Sequence, residues 1–569
     1  MSTAATTPGP GAGDKGLKTG ALGLVSSIVV GMSSTAPAYS LAASLGFIVA
    51  AGAGIKSPAI VLLAFVPMYL IAVSYQELNR AEPDCGTTFT WASRAFGPKT
   101  GWLGGWGIIA ADVIVMANLA QIAGTYTFTL LGELGVAGVA DLGDNVVAST
   151  TVGILWIVLM TWICYRGIEV SARLQYGLLA IEVVVLVMFA VVALTRVLSG
   201  DGVPGSLTPS LDWFNPVGLD FPTVIAPAIL TAIFIYWGWD TAVALNEESA
   251  DPGKTPGRAA IISTFLLLGT YALVTVAAVA FAGVGETGMG LANPENSGDV
   301  FRAIGATLFG DSLLGHIALV LLAASILTSA SACTQTTILP TARTALSMAA
   351  YKAIPEKFAR IHPKFLTPTW STIGMGIISI AFYLLFTLIS PDLLGALIGS
   401  VGLMIAFYYG LTGYACFWFY RRTLLTSARH FVMRGVIPLA GGLMLTAVFG
   451  FGLQQYATVD WLLDANGNNV TIFGIGAVAV VGVGAMLLGV VLMLVWMVRA
   501  PAFFRGKTLE KRADDLVLLP AVGSAPMFGL PDSGLMPTVI APDLSNLPPG
   551  ETAVDPATGE RITRSGADS

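Results

Sequence analysis

The chain has 569 residues, of which 55% are hydrophobic and 11% charged, with a formal net charge of −6. Soluble domains carry about 25% charged residues, so this composition excludes an ordinary soluble enzyme or nucleic-acid-binding module and reads as an all-α integral membrane protein. Four cysteines and three histidines form neither a disulfide framework nor a zinc spacing, so no metal and no cofactor is expected.

Residues 1–20 are rich in Gly, Ala, Thr and Pro and read as an N-terminal tail with no signal peptide. Twelve apolar runs of membrane length follow, expected at 21–45, 57–76, 101–131, 148–166, 174–197, 221–246, 258–283, 313–340, 370–389, 392–419, 433–454 and 471–498. They define a membrane domain over 21–498. Residues 499–569 are charged at first and then rich in Pro, Gly, Asp and Ser, which predicts a tail that is mostly disordered beyond Pro520. An even number of spans puts both termini on one side. Of the 28 Lys and Arg residues, 23 fall on that side, three (Lys56, Arg196 and Arg302) fall on the other, and Arg561 and Arg564 lie in the distal tail. The positive-inside rule makes the terminal side cytoplasmic, and the expected location is the bacterial plasma membrane.

Two spans are interrupted. The first carries Gly31-Met32-Ser33-Ser34-Thr35-Ala36-Pro37 in its middle, and the sixth carries Tyr236-Trp237-Gly238-Trp239-Asp240. Proline removes an N–H and disfavours helix at the residue before it, and Gly238 permits a sharp turn. Broken backbone at membrane depth is tolerated only where protein or a water-filled cavity surrounds it. Spans 1–5 and 6–10 each open with such a break. Five is odd, so the second set inserts upside down: an inverted repeat over about 21–197 and 221–419, with spans 11 and 12 outside it. The paired breaks predict a binding site. Gly31, Ser33, Ser34 and Thr35 allow close approach to backbone, while Phe234, Tyr236, Trp237 and Gly238 supply an aromatic wall suited to gating or to an amine. Ordinary interhelical packing is the competing reading for these aromatic and hydroxyl side chains.

Three carboxylates lie at membrane depth, Asp112, Glu182 and Asp240, with no base at comparable depth. Such groups bind a proton, sodium or a cationic solute, or simply hydrogen-bond to a neighbouring helix. Thr328, Ser329 and Ser331 in the eighth span offer hydroxyls for a small cation.

Several stretches resemble the amino acid–polyamine–organocation superfamily of permeases over roughly residues 17–500. They are Ile235-Tyr236-Trp237-Gly238-Trp239-Asp240 with Glu247-Glu248 and Asp251-Pro252; Glu77, Pro83, Gly86 and Thr87; and Thr341-Ala342-Arg343 with Ile354-Pro355, His362-Pro363 and Thr367-Pro368. The resemblance implies a five-plus-five, leucine-transporter-like fold with alternating access. It also implies an amino acid or amine held between the first and sixth spans, with Gly31–Thr35 at the cargo's carboxylate, Phe234–Gly238 at its amino end and Phe234 as an outer gate. Glu182 stands where proton-coupled members carry a lysine. Two departures follow: Gly31-Met32-Ser33-Ser34 replaces the family's Gly-x-Gly, which leaves room for an amine, and Glu182 leaves both proton and sodium open as the coupling ion.

The expected activity is therefore cation-coupled import of an amino acid or organic amine, with exchange as the alternative. An enzyme would need a nucleophile or metal grouping that is not evident, and Gly52–Ser57 lacks the Gly-Lys-Ser/Thr run of a phosphate loop. A channel and a non-transporting sensor are further readings without a supporting motif. Spans 11 and 12 leave the oligomeric state open.

Overall fold

The computed structural model describes residues 15–389, 393–464, 467–509, 511, 552–554 and 561–563. Among the described residues, ten helical segments are long and apolar enough to cross a membrane. One of them, Leu24–Ala81, holds the first two expected spans, joined by a tight turn at Val49–Lys56, and the sixth expected span is divided and short. All twelve expected spans therefore have a helical counterpart, and we number the helices accordingly.

Helix 1 consists of two halves, Leu24–Ser34 and Pro37–Ile48. The break is narrower than the sequence suggests. Gly31, Met32, Ser33 and Ser34 stay helical, and only Thr35 and Ala36 leave the helix, with Ala36 left-handed at φ 47°. The last turn holds because the Thr35 N–H donates to Met32 O and the Ala36 N–H to Ser33 O. Pro37 then opens the second half, where a missing N–H is harmless. Helix 6 runs Ala226–Tyr236, turns through Trp237–Asp240 and resumes for one turn at Thr241–Ala244. Gly238 has φ 123°, and a Cβ there would lie 2.5 Å from Ser34 O. The two breaks thus touch backbone to backbone, which only glycine allows.

The other helices are 2 (Ser57–Ala81), 3 (Pro98–Glu133), 4 (Val146–Arg166), 5 (Ile168–Leu198), 7 (Thr255–Ala282), 8 (Leu313–Ala350), 9 (Thr369–Ile389), 10 (Leu393–Tyr420), 11 (Ile437–Tyr456) and 12 (Ala477–Arg499). Helices 1, 2, 3, 6, 8 and 10 contribute to one continuous buried core. Helix 8, at 38 residues, is roughly 57 Å long and overshoots a bilayer, which carries Thr341–Arg343 past its expected end. The expected start of span 12 is different: Thr471–Ile472 pairs with Ile475–Gly476 as a hairpin, with Gly474 at φ 76°.

Neither end of the chain behaves as a free tail from its expected boundary. Ahead of helix 1, Leu17 is buried and Lys15 is half-buried. Beyond helix 12, Phe503 and Leu509 pack with Phe89, Trp102 and Met348, and the Thr508 hydroxyl donates to Tyr351 O at 2.6 Å. Residues 520–569 are a second unit. Its described part is an antiparallel pair, Thr552–Val554 with Arg561–Thr563. The rest of the expected disordered stretch lies outside the described residues.

Candidate functional site

The second half of helix 1 begins with three residues that donate no N–H to a helical carbonyl. Pro37 has no N–H. The Ala38 N–H donates to Glu182 Oε1 at 2.7 Å, and the Tyr39 N–H donates to Ser329 Oγ at 3.1 Å. Ser329 Oγ in turn donates to the same Glu182 oxygen at 2.6 Å. Helices 1, 5 and 8 therefore meet at one fully buried carboxylate. Its second oxygen, Oε2, has no hydrogen-bond partner among the described residues. Thr328, one residue from Ser329, bonds back to Ala324 O and Ser325 O and stays off this site, because adjacent helical residues point about 100° apart.

A cavity of about 10 Å³, room for one water-sized group, lies on the other side of the breaks. Ser34, Asp112, Trp237, Gly238, Asp240, Thr241, Thr337 and Tyr408 are among its lining residues. Thr341 donates its hydroxyl to Asp112 Oδ2. Tyr408 donates to Asp240 Oδ2 at 3.1 Å and accepts the Trp237 indole N–H. Ser34 and Thr241 share a hydroxyl–hydroxyl bond of 2.8 Å across the two breaks.

The other expected site residues sit elsewhere. Gly31 packs against Ser263 and Ala242. Ser33 is buried outside the cavity lining, and its hydroxyl has no described partner. Thr35 donates to Met32 O and accepts from Tyr271. Tyr236 turns away and donates to Val61 O at 3.2 Å, so it packs against helix 2. Phe234 stands edge-on to Tyr39 at 6.1 Å and tilted to Trp237 at 6.4 Å. Tyr39 donates its hydroxyl to Asn118. A vestibule of about 640 Å³ is lined by residues that include Asn118, Gln121, Asp299 and Arg302.

The terminal end is closed by ion pairs. Lys15 Nζ lies 2.9 Å from Asp84 Oδ2 and also donates to Glu247. Burial alone would push the Asp84 carboxyl up, but Lys15, the Gly86 N–H and Ser347 outweigh it and bring it down to about 2. Burial likewise opposes the Lys15 charge, yet Asp84, Cys85 and Glu247 hold its pKa above the ordinary value. Arg343 and Glu248, both fully buried, pair through two 2.9 Å bonds. Glu77 takes Arg80 at 2.6 Å and Arg434 at 2.7 Å. Lys15, Tyr408, Thr337 and the Tyr39–Asn118 pair carry no signal in the sequence, since their partners are far apart along the chain.

A helical bundle that breaks two crossing helices beside buried carboxylates, closed at one end and hollow at the other, is built as a membrane transporter. The amino acid permease family model matches residues 22–496, and the chain belongs to that family. An uncharacterized transporter of Mycobacterium tuberculosis is 27% identical over 68% of this chain and 78% of its own length. The branched-chain amino acid permease BcaP of Lactococcus lactis is 27% identical over 38% of this chain and 47% of its own. The human large neutral amino acids transporter small subunit 2 is 26% identical over 60% and 58%. Among solved structures, MhsT in complex with L-phenylalanine aligns with a TM-score of 0.54 at 16% identity, covering 75% of this chain and 98% of that one, which matches the expected leucine-transporter-like fold.

Proposed function

We propose that the protein imports an amino acid or organic amine across the bacterial plasma membrane by symport with a cation, a proton first and sodium as the alternative. In this reading both termini are cytoplasmic, consistent with the basic residues gathered on their side. The state described is then closed to the cytoplasm by the Lys15, Arg343 and Glu77 pairs and hollow towards the outside. Cargo enters by the vestibule, passes Phe234 and binds at the breaks of helices 1 and 6.

The observation that carries the proposal is Glu182. An ionised carboxylate with one oxygen unpaired in a buried site is strongly disfavoured, so a proton or sodium is its natural counterpart. Its other oxygen holds Ala38 at the break of helix 1 and Ser329 of helix 8. Neutralising the group changes how firmly it grips the half-helix, and a ligand that does so biases the equilibrium between outward and inward states.

The test uses purified protein in liposomes with radiolabelled leucine and agmatine. Imposed proton and sodium gradients are applied separately. Glu182→Gln is expected to reduce gradient-driven accumulation at least tenfold; unchanged accumulation overturns the assignment. Uptake that appears only in vesicles preloaded with cargo identifies an exchanger instead.

A further inference from the structure

We infer that the cavity between the start of helix 3 and the chain after helix 12 holds the phosphate headgroup of an anionic phospholipid, and that its occupancy keeps the Lys15 closure shut. The inference takes its membrane leaflet from the orientation proposed above and is independent of the cargo and the coupling ion.

The cavity measures about 390 Å³ and is lined by Pro98, Phe504, Arg505, Gly506 and Lys511. Two of these described lining residues are basic and none is acidic. Residues 499–512 carry five basic side chains against one acid. The ion pairs at this end engage Lys15, Arg80, Arg94, Arg343 and Arg434, and leave Arg505 and Lys511 without a carboxylate among the described residues. Basic side chains gathered directly beyond a membrane span attract anionic lipid, and the planar fork of arginine matches two phosphate oxygens at once. Helix 3 adds to the field. Its first helical bond runs from the Gly101 N–H to Gly97 O, so the Lys99 and Thr100 N–H groups precede it and the positive end of the helix dipole faces the same place. Lys511 lies across that helix start, because a Cβ on Gly97 would stand 3.0 Å from Lys511 Cε.

Position selects a lipid over a dissolved anion. On helix 12, Leu494, Val495 and Val498 are exposed, as side chains against acyl chains are, and the Arg499 guanidinium sits over the Trp496 ring at the end of the span. Arg505 follows after the single turn Pro501–Phe504, which puts the cavity at headgroup level.

The same stretch is tied to the closure. Phe503 and Leu509 pack with Phe89, Trp102 and Met348. Thr508 donates to Tyr351 O, the Tyr351 hydroxyl donates to Asp84 Oδ2 at 2.9 Å, and Asp84 holds Lys15. Arg505 and Lys511 bracket Thr508 and Leu509. A phosphate bridging both side chains to helix 3 fixes the stretch in its docked position, and a ligand that binds the closed state better raises its population.

The experiment places the full-length chain in nanodiscs of phosphatidylcholine alone or of phosphatidylcholine and phosphatidylglycerol in equal parts. Maleimide labelling of Cys85, fully buried beside Asp84, reports opening of this end. Phosphatidylglycerol is expected to slow labelling at least fivefold. The double variant Arg505→Gln, Lys511→Gln, which alters two exposed side chains, is expected to lose that dependence. Lys357→Gln with Arg360→Gln, an equal charge loss outside the cavity, is expected to keep it. The comparison of lipids on the unmodified chain carries the test even if a variant fails to fold. Equal labelling in both lipids overturns the inference. So does an equal loss in the Lys357, Arg360 control, which would assign the effect to diffuse surface charge. Inorganic phosphate that reproduces the slowing in phosphatidylcholine alone would make the cavity a site for a free anion and overturn the lipid assignment. No uptake is measured, so failure of the symport reading leaves this result standing.

Discussion

Replacing Lys15 by Met tests the closure at the terminal end. The substitution removes an ammonium group from between the buried Asp84 and the half-buried Glu247 while keeping most of the aliphatic volume. Asp84 sits at about 2 against an ordinary 3.8, and one unit corresponds to about 1.4 kcal/mol. Lys15 shares that stabilisation with Gly86 and Ser347, so its part is roughly 2 kcal/mol, below the 3–5 kcal/mol typical of stripping one partner from a buried pair. Asp84 keeps Gly86, Thr90, Ser347 and Tyr351 as donors, which accounts for the lower figure. A loss of 2 kcal/mol shifts a closed–open equilibrium roughly 30-fold. The neighbouring Cys85 is fully buried and serves as a built-in reporter. In inside-out vesicles, maleimide labelling of Cys85, resolved from the other cysteines by peptide mass spectrometry, is expected to accelerate by about that factor. A rate within twofold of the parent would refute the idea that Lys15 holds this end shut.

The same pairs set a pH window. Asp84 is depressed, so its contribution is present above about 4 and fades as pH falls towards 2; Lys15 is raised, so its contribution persists below about 10. The Lys15→Met effect on hydrogen exchange of residues 82–96 should therefore be equal at pH 6 and 8 and shrink at pH 3. Arg343→Met leaves Glu248 buried and unpaired and should cost about 3–5 kcal/mol. Adding Glu248→Gln should recover much of the lost thermal stability, and strict additivity of the two changes would contradict a coupled pair. Gly238→Ala places a Cβ 2.5 Å from Ser34 O at a left-handed φ. It should lower the melting temperature and abolish ligand-induced shifts together, whereas normal binding would show that the two breaks can separate freely.

Much of the fold was legible because a bilayer forces long apolar runs, and Gly and Pro mark where they fail. The break in helix 6 fell where Trp237-Gly238 suggested. The break in helix 1 was overdrawn, because Ser33 and Ser34 are small and polar yet remain in a hydrogen-bonded turn. Of the candidate site, the acids are what the sequence marks: Asp112 and Asp240 line one cavity, and Glu182 meets Ser329. Choosing between Ser329 and Thr328 needed the rotation of helix 8, which an apolar run does not fix. Lys15 was invisible as a closing group, since its partners lie 69 and 232 residues away. The hairpin ahead of helix 12 was hidden by its own hydrophobicity, because Val470-Thr471-Ile472-Phe473 reads equally well as helix.

The docked stretch after helix 12 matters to anyone handling the protein. Phe503 and Leu509 are wedged beneath Trp102 and Met348, and Thr508 is tied to Tyr351, whose hydroxyl reaches Asp84. Trimming the chain at Arg499 to obtain a tidier sample would pull out that wedge and expose an apolar notch beside the Lys15 closure. Affinity tags and fluorescent fusions are better attached downstream of Lys511.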